Sequence, residues 1–260
     1  MKLGLVLGSG GAKGIAHIAF LKELDEMGIR PSVIAGTSMG ALLGALYGSG
    51  VSAEEMETCI KSMGLKQMRD FIDIDLSRNS GGLVKGDKVM KFYEGLAKKK
   101  NFSSLRMPLK IIATDLWRQE EVVFSKGNVA DAVRASISIP GIFNPVILQN
   151  RTLVDGGLVN PLPCGHAKRH CDVLMAINVL GRDTKQRSAK PNIFESISIS
   201  LDIMQKAITQ NRLENYKPDI YLAPHLGKVN MLQFYKAKEI LKNMEPMAAT
   251  LRKQLEKLDL

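Results

Sequence analysis

Apolar positions along the chain fall into short unbroken runs that alternate with longer stretches spaced every three or four residues. Such a pattern predicts strands interleaved with helices. Residues 3–7, Leu-Gly-Leu-Val-Leu, form a run ended by glycines, as expected of a strand buried on both faces. Residues 13–27 then carry Ile15, Ile18, Leu21 and Leu24 at helical spacing, which completes a strand-loop-helix unit. Residues 32–35 repeat the strand signal, and a small-residue helix through Ala41, Leu42 and Ala45 follows Gly36-Thr37-Ser38-Met39-Gly40. Two strand-to-helix turns are thereby set at one sheet edge.

Residues 52–100 read as mostly helical, with a break at Gly81-Gly82, and are expected to pack beside the sheet or to cover it as a lid. Residues 110–116 and 122–125 are β-rich and joined by a tight connection, and the helical pattern resumes at Val129. A strand over 146–154 leads into Asp155-Gly156-Gly157, and further strands are expected at 172–179 and 219–223. Two helical patterns close the chain, 193–216 and 231–258, the second kinked or broken before Pro246. Residues 181–191 read as a flexible loop. Together these elements predict one α/β domain over 1–260, with a mixed central sheet flanked by helices on both faces.

Composition narrows the class. An apolar fraction of 45% and a charged fraction of 24% are those of a globular domain, and no apolar run approaches the roughly 18 residues of a membrane span. The apolar start of the chain is too short for a signal peptide, and Cys59, Cys164 and Cys171 form no disulfide framework, so a cytoplasmic location with free thiols is expected. The formal charge of +10 favours anionic partners. Aromatics make up only 5%, with no aromatic-interleaved basic stripe, so nucleic acid is the weaker reading and an anionic membrane surface the stronger. Lys236, Lys238, Lys242, Arg252, Lys253 and Lys257 could draw the last helix to such a surface as a peripheral contact, with Phe234 and Leu241 meeting the bilayer. Interleaved Glu239, Glu245 and Glu256 are also the pattern of a solvated helix face, the commoner source of such a run.

Gly36-Thr37-Ser38-Met39-Gly40 has the spacing of a nucleophile elbow, in which small neighbours let a strained strand-to-helix turn project the serine hydroxyl. A serine hydroxyl needs a base to take its proton. Of the four histidines, only His225 lies late enough in the chain for a Ser-Asp-His order. Asp155 is the other candidate, because Gly156 and Gly157 let the backbone turn closely around its carboxylate. The loop Gly8-Ser9-Gly10-Gly11-Ala12-Lys13-Gly14 can offer backbone N–H groups to an oxyanion at a helix N-terminus.

Rival readings of these motifs fit less well. A dinucleotide fingerprint needs glycine where Lys13 stands, and a P-loop needs Ser or Thr where Gly14 stands. Cys164, His166, His170 and Cys171 are spaced irregularly for zinc on one short helix, so no metal site is expected.

The glycine loop, the elbow, Ala113-Thr114-Asp115-Leu116, the run from Arg134-Ala135-Ser136 to Pro140, and Asp155-Gly156-Gly157 occur in an order that resembles the patatin-like phospholipase family, its small bacterial members above all. The resemblance implies a three-layer α/β/α fold and a Ser38–Asp155 dyad in which no histidine takes part. It also implies an oxyanion hole carried by Gly10 and Gly11, with Lys13 as the loop's basic residue. Ser9 stands where that family has glycine, and its N–H can still donate if φ stays negative. The implied activity is hydrolysis of fatty acyl esters of phospholipids or lysophospholipids, without metal or cofactor. A protein that binds acyl chains or a partner on the same fold without turnover is the alternative, against which the intact Ser38 and Asp155 argue.

Overall fold

Strand β1 (Leu3–Leu7) buries every residue, and its pleat divides the side chains between two cores: Leu3, Leu5 and Leu7 join one apolar cluster and Val6 the other. Both faces are covered, as the unbroken apolar run predicts. The computed structural model describes residues 1–64, 86–181, 193–227 and 229–258. The expected Gly81-Gly82 break and nearly all of the 181–191 loop lie outside them.

Around β1 the sheet continues with β2 (Val33–Thr37), β3 (Leu109–Asp115), β4 (Glu120–Phe124), β5 (Val146–Leu148), β6 (Arg151–Asp155), β7 (Val173–Ile177) and β8 (Ile220–Leu222). Its order is β5-β6-β3-β2-β1-β7-β8, with β4 also paired to β3. Strands β3, β2, β1, β7 and β8 are mutually parallel, whereas β4 and β6 run antiparallel to β3 and β5 antiparallel to β6, so the sheet is mixed. Helices α1 (His17–Glu26), α2 (Met39–Ser49), α3 (Ala53–Ser62), α4 (Asp87–Leu96) and α5 (Val129–Ser136) share the larger core with α8 (Ala237–Glu256). On the opposite face, α6 (Cys164–Lys168) and α7 (Ile193–Tyr216) cover the smaller one. Three layers result, as expected.

Four details differ from the pattern-based expectation. Strand β2 runs on to Thr37, which pairs with Ile112 and donates its hydroxyl to the Asn160 carbonyl at 2.8 Å, so Ser38 follows the strand directly. The single strand expected over 146–154 is a hairpin. Its two-residue turn places Gln149 and Asn150 at φ 51° and 58°, and only Asn150 is a residue that announces such a turn. The helix expected from Lys13 opens as a 3-10 turn over Gly11–Ala16 before α1 begins.

The closing helix is not broken: α8 passes through Pro246. Pro246 lies on the outer side, where water can meet the carbonyl its missing N–H leaves free, while Met244, Ala248, Leu251 and Leu255 on the inner side are buried. That burial outweighs the proline's cost. Leu241 is 6% exposed and Phe234 9%, so the bilayer contact expected of them is corrected: they belong to the core. No helix among the described residues is long and apolar enough to cross a membrane.

Candidate active site

Pairing along β3 brings the two halves of the site together. Strand β4 lies along residues 111–115 of β3, so β2 at 109–112 and β6 at 113–115 must share the opposite edge, one following the other. Consecutive residues of β3, Ile112 and Ala113, therefore have Thr37 and Asp155 as partners. Ser38 extends β2 just where β6 ends at Asp155. Residues 117 positions apart meet because two strands abut end to end, at the carboxyl edge of the parallel strands where such sheets bind ligands.

Ser38 adopts φ 56°, ψ −121°, a conformation that costs a non-glycine residue about 1–3 kcal/mol. Its surroundings enforce the turn. A side chain at Gly40 would start 2.1 Å from the Leu7 carbonyl oxygen, and one at Gly36 would start 2.5 Å from that of Gly40, so both glycines of the elbow are needed for close packing. The Ser38 N–H donates to Ser136 Oγ at 2.8 Å, and the Ser136 hydroxyl donates in turn to the Ile112 carbonyl at 2.5 Å. Ser38's carbonyl accepts from the Ala41 and Leu42 N–H groups and starts α2.

Asp155 is 3% exposed. Burial pushes its carboxyl up to about 6, opposed by hydrogen bonds from the Ser38 hydroxyl and the Gly157 N–H, the latter at 2.7 Å to Oδ1. The second carboxyl oxygen, Oδ2, has no partner of full hydrogen-bond geometry among the described residues, so the contact with Ser38 is loosely aligned, as acid-base contacts often are without substrate. The backbone beneath is fixed: Asp155 N–H donates to the Ser138 carbonyl at 2.8 Å and Thr114 Oγ1 to the Asp155 carbonyl at 2.8 Å. Gly156 packs against the Ile112 carbonyl, and Gly157 beside Gln205.

In the glycine loop, most donors are already used. Gly8 N–H donates to Ile177 O, Ser9 N–H to Pro161 O, Ala12 N–H to Met231 O and Lys13 N–H to Gly10 O. Gly10 and Gly11 N–H have no acceptor among the described residues, and both residues line a cavity with Ser38. The Met39 N–H, next after Ser38 at the start of α2, is unbonded there too. The Ser9 N–H is thus already bonded, and Lys13, the loop's basic residue, lies with its ammonium 3.6 Å from Asp202 of α7. Ser9 Oγ donates to Gln205 Oε1 at 2.6 Å, a second tie from the loop to α7. Beneath the loop, fully buried His17 donates Nε2–H to the Gly8 carbonyl at 2.9 Å, and burial lowers its pKa to about 4, so the ring is neutral.

No histidine lines the cavities that include Ser38. His225 is exposed, His166 bonds Glu121 at 2.7 Å, and His170 meets Lys110 at 2.9 Å. Cys164 is buried and Cys171 packs against Gly4. Among the described residues no cluster of three His, Cys, Asp or Glu side chains could hold a metal. Sequence reasoning missed Gln205, and it quoted Ser136 without seeing that it holds Ser38. No local signal identifies Gln205, which sits mid-helix.

Two cavities flank Ser38. One includes Ser9, Gly10, Asp155 and Gln205 in its wall. The other is lined largely by apolar groups such as Val89, Ile137, Phe143 and Phe234. Gly11, Ile139 and Met231 border both.

Comparison with known proteins shows the family. The family model described as patatin-like phospholipase matches residues 5–168. An uncharacterised NTE family protein of Mycobacterium tuberculosis is 33% identical over 194 residues, 74% of this chain and 53% of its own length. The lysophospholipase nte1 of Emericella nidulans is 32% identical over 68% of this chain and 12% of its own. Patatin-like phospholipase domain-containing protein 7 of mouse is 32% identical over 70% and 14% respectively. The chain thus spans about half the length of the mycobacterial relatives. Among solved structures, VipD from Legionella pneumophila superposes with a TM-score of 0.56 at 14% identity, over 97% of this chain and 66% of its own, a likeness of fold.

Proposed function

The chain belongs to the patatin-like phospholipase family, and from that premise we propose that it hydrolyses fatty acyl esters of phospholipids or lysophospholipids through a Ser38–Asp155 dyad. Lipid ester hydrolysis is the general activity its family supports. The observation that carries the finer reading is the strained, buried serine set against the buried carboxyl of Asp155 where strands β2 and β6 abut.

In this mechanism Asp155 takes the Ser38 proton as Oγ attacks the ester carbonyl carbon. The N–H groups of Gly10 and Gly11 receive the oxyanion, in a setting where one such donor is typically worth a hundredfold to a thousandfold in rate. When the carbon–oxygen ester bond breaks, Asp155 returns the proton to the leaving oxygen. Water then repeats the sequence and releases the fatty acid. A carboxyl near 6 is ionised at neutral pH yet more basic than an ordinary aspartate, as a general base requires. The formal charge of +10 favours encounter with lipid in anionic membrane surfaces.

Labelling with a fluorophosphonate probe, located by peptide mass spectrometry, tests the reading. A label on Ser38, absent from Ser38→Ala and strongly reduced in Asp155→Asn, is expected. A folded wild-type protein that takes no label at Ser38, or a Ser38→Ala variant that keeps its esterase activity, would refute it.

A further inference from the structure

We propose that the acyl chain leaves Ser38 on one defined side and runs between Met39 and Phe234 into a second, wholly apolar chamber, whose walls limit the acyl-chain length that the enzyme turns over. The inference rests on the dyad reading and adds the direction, the path and the length limit. Direction follows from the chemistry. The group that takes the serine proton must deliver it to the leaving oxygen, so the alcohol portion lies on the side of Asp155. That side is the cavity that holds Asp155, Ser9 and Gln205 together with Leu158 and Leu201. The acyl chain is left the opposite cavity, lined by Val89, Ile137 and Phe143.

The path continues because this cavity and a neighbouring apolar one share two wall residues, Met39 and Phe234. This second chamber lies between α2, α3 and the start of α8 and is walled only by apolar side chains, among them Leu42, Leu43, Ile60 and Met63. Nothing in it can bind a headgroup, an ion or a nucleotide. Met39 has three rotatable bonds and can swing without breaking a hydrogen bond, which makes it a suitable partition. It is also the residue next to the nucleophile, so a chain attached at Ser38 passes it first. Ile60 of α3 and Met63, which follows its last turn, line the second chamber and not the one beside Ser38, and they set how much chain fits.

The test is the kcat/KM of the full chain on p-nitrophenyl esters of straight-chain acids from acetate to palmitate. Each methylene moved into an apolar chamber is worth about fourfold, so the wild type is expected to rise by that ratio per carbon and then level off. Ile60→Phe should move the plateau to shorter chains and Ile60→Ala to longer ones. The readout is the ratio between successive esters within one variant, so a uniform loss from a loosened fold cancels. Met63→Phe, at a partly buried position, repeats the filling test should Ile60→Phe not fold. A wild-type profile flat with chain length, or filled and emptied variants that keep the wild-type plateau, would overturn the chamber while leaving the dyad standing. No turnover of any ester, with no fluorophosphonate label on Ser38, would sink the dyad and the chamber together.

Discussion

The two sides of Ser38 are built from different interactions. Toward α7, polar side chains are held by directed bonds: Ser9 to Gln205, Lys13 to Asp202, Asp155 to Gly157. Toward α2, α3 and α8 the wall is built of apolar side chains, from Ile15 through Leu43 to Phe234. A carboxyl oxygen or an N–H misplaced by an ångström stops working, whereas an apolar wall tolerates rearrangement as long as volume is kept. Substitutions on the first side should therefore act on rate, and those on the second on stability and substrate length.

The largest effect is expected at Asp155. Asp155→Asn keeps an oxygen for the Gly157 N–H but removes the base, and should lower kcat/KM by up to about 10⁴-fold. Its stability should move the other way. Because the folded carboxyl titrates near 6, above its ordinary 3.8, the folded state holds the proton more tightly, and the stability this gives is present below about pH 4 and lost as pH rises through 6. The neutral amide escapes that loss, so Asp155→Asn should melt higher than the wild type at pH 8, with the gap narrowing at pH 5. An inactive variant that also melts lower at pH 8 would mean that the carboxylate is structural, and the contrast between the two sides would fail.

The same group governs the pH profile. Activity needs ionised Asp155, so log kcat/KM should fall with unit slope below about pH 6 and be level above it. A profile still flat at pH 5 would show the base to be a different group.

A smaller effect is expected where the polar side is anchored. Gln205→Ala strips the acceptor from a buried Ser9 hydroxyl, a loss of about 1–3 kcal/mol. To the extent that it loosens the glycine loop, kcat should drop by about tenfold, since about 1.4 kcal/mol is a factor of ten, with KM little changed. A KM effect alone would assign Gln205 to substrate binding instead of loop positioning.

These contrasts also explain what the sequence could and could not disclose. Ser38 and Asp155 were legible because each is framed by its own glycines, Gly36 and Gly40 or Gly156 and Gly157, which serve close backbone approach within a few residues. Their meeting was not legible, since it follows from two strands abutting along β3. Gln205 carries no local mark at all. The 146–154 stretch concealed a hairpin because its turn is Gln149-Asn150, without the glycine that usually announces one. Lys13 and Ser9 were assigned by position in a motif, and only the structure reveals which N–H groups of that motif are already bonded.

The smallest effect on rate is expected on the outer side of α8, away from both cavities. Pro246 interrupts the hydrogen-bond ladder of α8 on its exposed face, yet the helix persists because Met244 and Ala248 beside it are buried. Pro246→Ala restores an N–H to the ladder and removes a residue that costs a helix interior up to about 3 kcal/mol. Part of that cost is already offset here by solvent at the freed carbonyl, so a gain of about 1 kcal/mol, or roughly 2–4 °C in Tm, is the expected outcome. If α8 acts only as packing, kcat/KM for every chain length should stay at the wild-type value while the Tm rises. A change in the chain-length profile without a change at Ser38 would instead mean that a bend at Pro246 shapes the chamber, and that packing on this side is as exacting as the hydrogen bonds on the other.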